Sequence, residues 1–424
     1  MSVDPPSPLK VAIVGGAGHV GLPLSLLLAD KGLEVVSIDR DVAKIKALRR
    51  GAFPFMEEGG QELLKKPKGG RLLFTVELSP IADCHVVILV VGTPVDEHMN
   101  PDLNLVYSVI EQITPYLRNG QVMILRSTLF PGTSEKILAI LHAAGLNIGV
   151  CFCPERIAQG HAIRELQEFP QIISGSDAKA LAMARKVFSA LTPKLVELSM
   201  TEAELAKLFT NAWRYIKFAI ANQFYMIAVE KGLDFYRIHE AMTRDYERAI
   251  DLPPAGFAAG PCLFKDTMQL AAYNRQDFAL GHAAMLLNET LPNFLVEHAK
   301  QHDPLRGKRV GILGMAFKPN NDDRRESLAY KLRKLLSYEN ATVLCTDPYV
   351  DDPSLVPLET VLNSCTLLFI GCPHAVYRTL DFTGREVIDC WGFVKPSADA
   401  QAGATPRSSR PHAAHRPARH VVPR

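Results

Sequence analysis

Short apolar runs alternate with amphipathic stretches through the first part of the chain. Residues 10–14 (KVAIV), 34–38 (EVVSI), 85–91 (HVVILVV), 121–126 (QVMILR) and 148–153 (IGVCFC) read as buried strands. Helical patterns lie between them, the first over 22–31. Strand alternating with helix implies a parallel sheet covered on both faces. Residues 201–231 change character. Leu205, Leu208, Ala212, Ile216, Ala219 and Ile220 fall at helical spacing, and breakers are few, so a long helix is expected. More helices run to about residue 300. Then the first rhythm restarts, with short strands at 309–313, 342–346, 366–370 and 386–390. The pattern predicts an α/β fold: two doubly wound parallel-sheet domains, 1–200 and 301–395, joined by a central helical domain, 201–300. Residues 396–424 have no apolar period and are rich in Pro, Ala, Arg, Ser and His. They are expected to be a disordered tail.

Composition narrows the picture. The 424 residues are too many for one ordinary core, which agrees with several domains. The net charge is +2, but the tail contributes five Arg (407, 410, 416, 419, 424) against Asp399, so the body stands at −2. A general nucleic-acid binder is not expected, and an anionic ligand must be held by local groups. No apolar run is long enough to span a bilayer. The start, Met1 to Pro8, lacks the layout of a signal peptide, so a cytoplasmic protein is expected. Eight cysteines lie mostly in strand-like runs and do not form a disulfide framework. Cys151 and Cys153 share a face, but no second pair with ligand spacing stands near them, so buried thiols are expected rather than a metal site.

Candidate chemistry gathers in a few places. Gly16-Ala17-Gly18-His19-Val20-Gly21 follows a strand, opens a helix and precedes a second strand that ends at Asp39. This order is a dinucleotide fingerprint: glycines for a tight turn and close backbone approach, a helix N-terminus for pyrophosphate, an acid for the ribose hydroxyls. Arg40 beside Asp39 leaves NADP open next to NAD. Cys262, followed by Lys265 and Asp266, sits in a charged setting that can favour thiolate; alone the motif reads rather as a buried structural thiol. Gly256, Phe257 and Gly260 suggest a loop whose backbone approaches a ligand. Glu202, Lys207 and Asn211 lie on the long helix, the last two on one face, where they suit oxyanion stabilisation or water positioning, or simply a solvated face. Thr128 and Glu155 close two strands at the edge where doubly wound sheets place ligands. There Glu155 reads as a general base or as part of a turn.

Together these stretches resemble the UDP-glucose/GDP-mannose dehydrogenase family. The resemblance runs from about Lys10 to Gly392 through GGAGHVGLP (15–23), VGTP (91–94), RSTLFPGT (126–133), PERIAQG (154–160), LAKLFTNAW (205–213), GFAAGPCLFKD (256–266) and GMAFKPNNDDRRES (314–327). It implies an NAD-binding Rossmann domain, a central helical domain that builds a homodimer, and a Rossmann-like domain that holds the nucleotide sugar. The implied reaction oxidises the sugar C6 alcohol by four electrons, supplying precursors for surface polysaccharide. By position, Cys262 becomes the nucleophile, and Lys207, Asn211 and Asp266 bind catalytic water and stabilise the oxyanion. Thr128 sits by the nicotinamide and Glu155 assists thioester hydrolysis. Gly16, Gly18, Gly21, Asp39 and Thr93 bind NAD, Arg325 binds phosphate, and Gly256, Phe257 and Lys318 hold the sugar nucleotide. Two positions depart from the pattern: Ala259-Gly260-Pro261 replaces a glycine pair before the Cys, and Asn321 stands where Thr is common. Two rivals were weighed. A β-hydroxyacid dehydrogenase leaves Cys262 and the second α/β domain without roles. A silent binding protein predicts a damaged Cys, Lys or Asp, and all three are present.

Overall fold

The computed structural model describes residues 8–93, 96 and 102–394. The expected tail, 396–424, and Pro94 of the VGTP motif lie outside the described residues.

The first sheet has six parallel strands: β1 (Lys10–Val14), β2 (Glu34–Ile38), β3 (Leu72–Thr75), β4 (Val86–Leu89), β5 (Val122–Leu125) and β6 (Gly149–Phe152). Their order is β3-β2-β1-β4-β5-β6, which reverses direction between β1 and β4 and so opens a crevice at the carboxyl ends of those strands. Register pairs Val11 with Val35 on one side and Val86 on the other. Both faces are packed: Ala12, Val36, Val87 and Met123 enter one core, and Val11, Val35, Val86 and Val122 enter the other. Hydrophobicity without alternation follows from this double burial. Two further short strands, β7 (Gln171–Ile173) and β8 (Leu195–Glu197), pair in parallel beside the domain. Sequence reading missed β3, β7 and β8, which have three or four residues each.

The long helix runs Met200–Glu230. Ser199 caps it, accepting from the Glu202 backbone N–H while the Glu202 side chain reaches back to Ser199. Glu202 is therefore a capping residue at the surface. The helix packs on two others, Leu263–Tyr273 and Ala279–His302. A buried amide pair ties this layer to the Gly256 loop. Asn222 accepts from Gly256 N and donates to Gly256 O and to Asn288 Oδ1, and Asn288 donates to Tyr215 O.

A second parallel sheet closes the molecule, in the order β10 (Thr342–Thr346), β9 (Arg309–Leu313), β11 (Leu367–Ile370), β12 (Glu386–Ile388). Its core is shared with the helical layer: Val310, Ile312 and Phe369 join Tyr225, Phe235, Phe257 and Leu291. The 314–327 loop leaves β9 and turns back toward the first sheet, where Met56 N donates to Asp322 Oδ2 (3.1 Å). Among the described residues no helix is long and apolar enough to cross a membrane.

Candidate active site

The glycine turn shows why each glycine is there. Gly15 N and Gly16 N both donate to Ile38 O (2.9 Å). A Cβ on Gly16 would stand 2.3 Å from Ser37 Oγ, and one on Gly21 would stand 2.2 Å from Gly15 O, so these two are fixed by packing. Gly18 differs: its nearest neighbour would be Gly15 O at 3.5 Å. Nothing inside the protein demands glycine at 18, whereas a pyrophosphate pressed against the backbone does. Asp39 is half-buried and accepts from Ala17 N and Asp41 N (3.0 Å each), which aims its carboxylate across the turn. The residues thus fit a dinucleotide.

Across the crevice, Thr93 follows β4, Thr128 follows β5 and Glu155 follows β6. The Leu263–Tyr273 helix faces them with Cys262 at its N-cap. Asp266, in its first turn, is fully buried and gathers the site. It accepts from Asn211 Nδ2 (2.5 Å), Lys265 Nζ (2.5 Å) and Thr128 Oγ1 (3.4 Å). Lys265 also donates to Thr93 Oγ1 (3.3 Å). Lys207 is buried one helical turn before Asn211. Burial pushes its pKa down, while Asp266, Cys262 and Glu155 pull it back up.

Cys262 opens onto the cleft, the only exposed thiol among the described residues. The protein behind it nonetheless desolvates the sulfur, and its pKa is raised, first by this desolvation and then by Asp266. Lys207, Lys265 and Arg325 act in the opposite sense and do not win. The charged setting read from sequence therefore keeps a thiol at rest, with the cations placed to stabilise the thiolate once it forms.

Glu155 is held on all sides. Arg126 pairs with Oε2, and Arg156 N (2.7 Å) and Ile157 N (3.0 Å) donate to Oε1. Arg126 is itself buried, donating to Cys153 O and Gln171 Oε1 and lying over Phe188. Sequence reading missed this anchor. It missed Glu204 as well, a buried carboxylate that accepts from Gly132 N (2.7 Å), Ser134 N (2.9 Å) and Ser134 Oγ (2.6 Å) and caps the Thr133–Ala143 helix. The signal was available, because Glu204 precedes Lys207 by three and Asn211 by seven, on their face of the helix.

The 314–327 loop completes the wall. Lys318 donates to Gln159 O, and burial lowers its pKa. Arg325 is clamped by Asp323 (Nη2 to Oδ2 2.6 Å) and stands near enough to Cys262 to lower that thiol's pKa. Gln159 bridges Asp323 (3.1 Å) and the glycine-turn His19 (2.9 Å). Gly256 is at φ 151°, and a Cβ there would lie 2.3 Å from the Trp391 ring. Phe257 is buried edge-on against Trp391 (5.8 Å), so its ring serves the core. Gly260, in the departing Ala259-Gly260-Pro261 segment, packs on Phe317 of the 314–327 loop. Asn321 is buried and accepts from Asp323 N (2.9 Å). Among the described residues no group of three or more His, Cys, Asp or Glu is placed to hold a metal ion.

Comparison with known proteins bears on this arrangement. Three models of one family match the chain: the NAD binding domain over 9–192, the central domain over 201–290 and the UDP binding domain over 311–396. The chain belongs to the UDP-glucose/GDP-mannose dehydrogenase family. It is an NAD-dependent oxidoreductase acting on nucleotide sugars. Among its relatives is the UDP-N-acetyl-D-mannosamine dehydrogenase of Methanocaldococcus jannaschii, 31% identical over 88% of this chain and 87% of that protein. The putative UDP-glucose 6-dehydrogenase of Bacillus subtilis is 30% identical over 80% of this chain and 82% of its own length. The solved UDP-D-ManNAc dehydrogenase of Pyrococcus horikoshii superposes with a TM-score of 0.85 at 27% identity, covering 92% of this chain and 97% of that one. The UDP-glucose dehydrogenase of Pyrobaculum islandicum gives 0.83 at 27% identity, covering 92% and 96%. The parallel sheets and helical middle of the dehydrogenase are those of its solved relatives.

Proposed function

We propose that this dehydrogenase oxidises the C6 alcohol of a UDP-sugar, of the UDP-N-acetylmannosamine or UDP-glucose type, to the uronic acid through a covalent bond to Cys262. The observation that carries this reading is the convergence of Cys262 with Lys207, Asn211, Lys265 and Asp266 at the mouth of the dinucleotide crevice. The division follows the sequence reading: 1–200 for NAD, 201–300 central, 301–395 for the sugar nucleotide.

Gly16, Gly18 and Gly21 would admit the pyrophosphate, Asp39 the ribose, and Thr93 and Thr128 the nicotinamide side. NAD would supply the hydride acceptor, one molecule for each of the two oxidations, with NADH leaving between them. C6 first loses hydride while its hydroxyl proton passes to Lys207, whose lowered pKa fits it to take up and return a proton. The Cys262 sulfur then bonds to the aldehyde carbon, and the oxygen takes a proton to give a thiohemiacetal. Loss of a second hydride and the hydroxyl proton leaves a thioester. Water adds to its carbon, the C–S bond breaks, and the thiol and carboxylate separate. Lys207 and Asn211 bind the developing oxyanion and the water, and Asp266 fixes Asn211, Lys265 and Thr128 around them. Glu155, locked by Arg126, assists hydrolysis of the thioester. Lys318 holds the sugar nucleotide, Gly256 and Phe257 shape its pocket through backbone, and Arg325 meets phosphate.

The same reading makes the molecule a cytoplasmic homodimer that supplies surface-polysaccharide precursors. Supporting the dimer, Phe209, Trp213, Ile220, Phe224 and Ile227 are all exposed along one helix. A panel of UDP- and GDP-sugars read by NADH absorbance tests the reading: a UDP-sugar should yield two NADH per uronate, and silence with every sugar nucleotide overturns it.

A further inference from the structure

The two parallel sheets begin alike. After β1 the chain turns at Gly15 and Gly16, and Asp39 directly follows β2. After β9 it turns at Gly314, whose N–H donates to Thr346 O (2.9 Å), and Asp347 directly follows β10. The two acids differ in their surroundings. Asp39 is half-buried and accepts from Ala17 N and Asp41 N. The Asp347 side chain is wholly buried. Its Oδ2 accepts from Met315 N (2.6 Å), Ala316 N (2.9 Å) and His374 Nε2 (2.9 Å), and its Oδ1 accepts from Tyr349 N (2.8 Å) and Val350 N (3.0 Å). An imidazole therefore stands against the second acid.

The far side of that imidazole meets the 314–327 loop. Asn320 N donates to His374 Nδ1 (2.9 Å), and Ala375 N donates to Asn320 Oδ1 (2.9 Å). Asn320 sits at φ 53°, a left-handed conformation that asparagine tolerates and that needs holding. A backbone N–H can only donate, so Nδ1 is the acceptor and carries no proton. The proton is on Nε2, facing Asp347. His374 is thus a neutral spacer with both nitrogens committed, fully buried, its ring flanked by Tyr349 and Tyr377 at 5.1 and 5.6 Å. Two residues before Asn320 stands Lys318.

We propose that His374 is a positioning residue of the sugar-nucleotide site. Braced on Asp347, it holds the Asn320 turn and so places Lys318 against the cleft. This rests on the reading that Lys318 holds the sugar nucleotide.

Two substitutions divide the two bonds. His374→Gln puts an amide nitrogen near the Nε2 position, keeps a donor for Asp347 and releases Asn320. His374→Asn puts a carbonyl oxygen near Nδ1, keeps an acceptor for Asn320 and releases Asp347. With the full chain, the Gln variant should raise KM for the productive UDP-sugar about 5- to 10-fold, the scale of one lost hydrogen bond. Its kcat and its KM for NAD should stay within about twofold. The Asn variant should keep a KM near the wild-type value even though its Tm falls further. A KM that follows Tm across the pair, or stays at the wild-type value in both, overturns the proposal. Amide hydrogen exchange over 316–326 gives a readout free of activity. Exchange there should accelerate in the Gln variant and stay slow in the Asn variant, and equal protection in wild type and Gln variant overturns the proposal even if no sugar is turned over. Absence of NADH from the wild-type enzyme on every sugar nucleotide would instead sink the functional reading, leaving the exchange result to decide the role of His374.

Discussion

At Cys262 two effects oppose each other: desolvation and the Asp266 carboxylate keep the proton on sulfur, while Lys207, Lys265 and Arg325 favour its loss. The first pair wins, so the thiol is neutral at pH 7 and its thiolate fraction grows about tenfold per pH unit below its pKa. Iodoacetamide alkylation of Cys262 should therefore show a midpoint above the free-thiol value of about 8.5. Asp266→Asn should lower that midpoint, and a midpoint at or below 8.5 in the wild type would contradict the assignment. Acid formation should also rise from pH 7 to 9. Asp39 carries a second expectation. Its carboxylate repels a ribose 2′-phosphate, so NAD should exceed NADP in kcat/KM, and equal efficiency would point to Arg40 as a phosphate partner. Residue identities such as these were legible because their signal is local: the glycines, Asp39 and the Lys207–Asn211 pair sit at fixed spacings. The sense of the Cys262 shift was not legible, because it depends on how densely the fold packs behind the sulfur.

Elements do their work through their ends. The Thr133–Ala143 helix begins at a left-handed Gly132 with no side-chain cap of its own, and Glu204 of the long helix supplies the acceptors instead. Glu204→Ala leaves those donors buried and unpaired, a cost of about 2–3 kcal/mol. Tm should fall by several degrees while KM for NAD changes little; an unchanged Tm would show that the cap is dispensable. Sequence reading stopped at Glu202, which fits a capping box, and passed over Glu204, whose partner lies 70 residues away. The same limit hid Arg126 under Glu155 and His374 under the 314–327 loop, with partners 29 and 27 residues distant. Long strands and the long helix were legible from their period, whereas β3, β7 and β8 are too short to establish one.

On the scale of the molecule, the bulky apolar residues of the long helix differ in exposure. Tyr215 and Tyr225 are buried within the chain, while Trp213 is 54% exposed and Phe209, Ile220, Phe224 and Ile227 line the surface with it. An apolar face of this kind fits a second copy. Light scattering should give about twice the 46.7 kDa chain mass at micromolar concentration, and Trp213→Glu should lower it toward the single-chain value. A wild-type monomer would contradict the dimer. The assembled parts serve one claim above the rest, that a single carbon is oxidised twice in one site, the second time while bonded to Cys262. Steady-state uronate formation by Cys262→Ala tests it most directly. The account predicts a fall of several orders of magnitude, with at most a trace of aldehyde and a single NADH, because the cofactor crevice and Lys207 remain but the thioester cannot form. Near-normal conversion to the uronic acid would make Cys262 a structural thiol and contradict the mechanism.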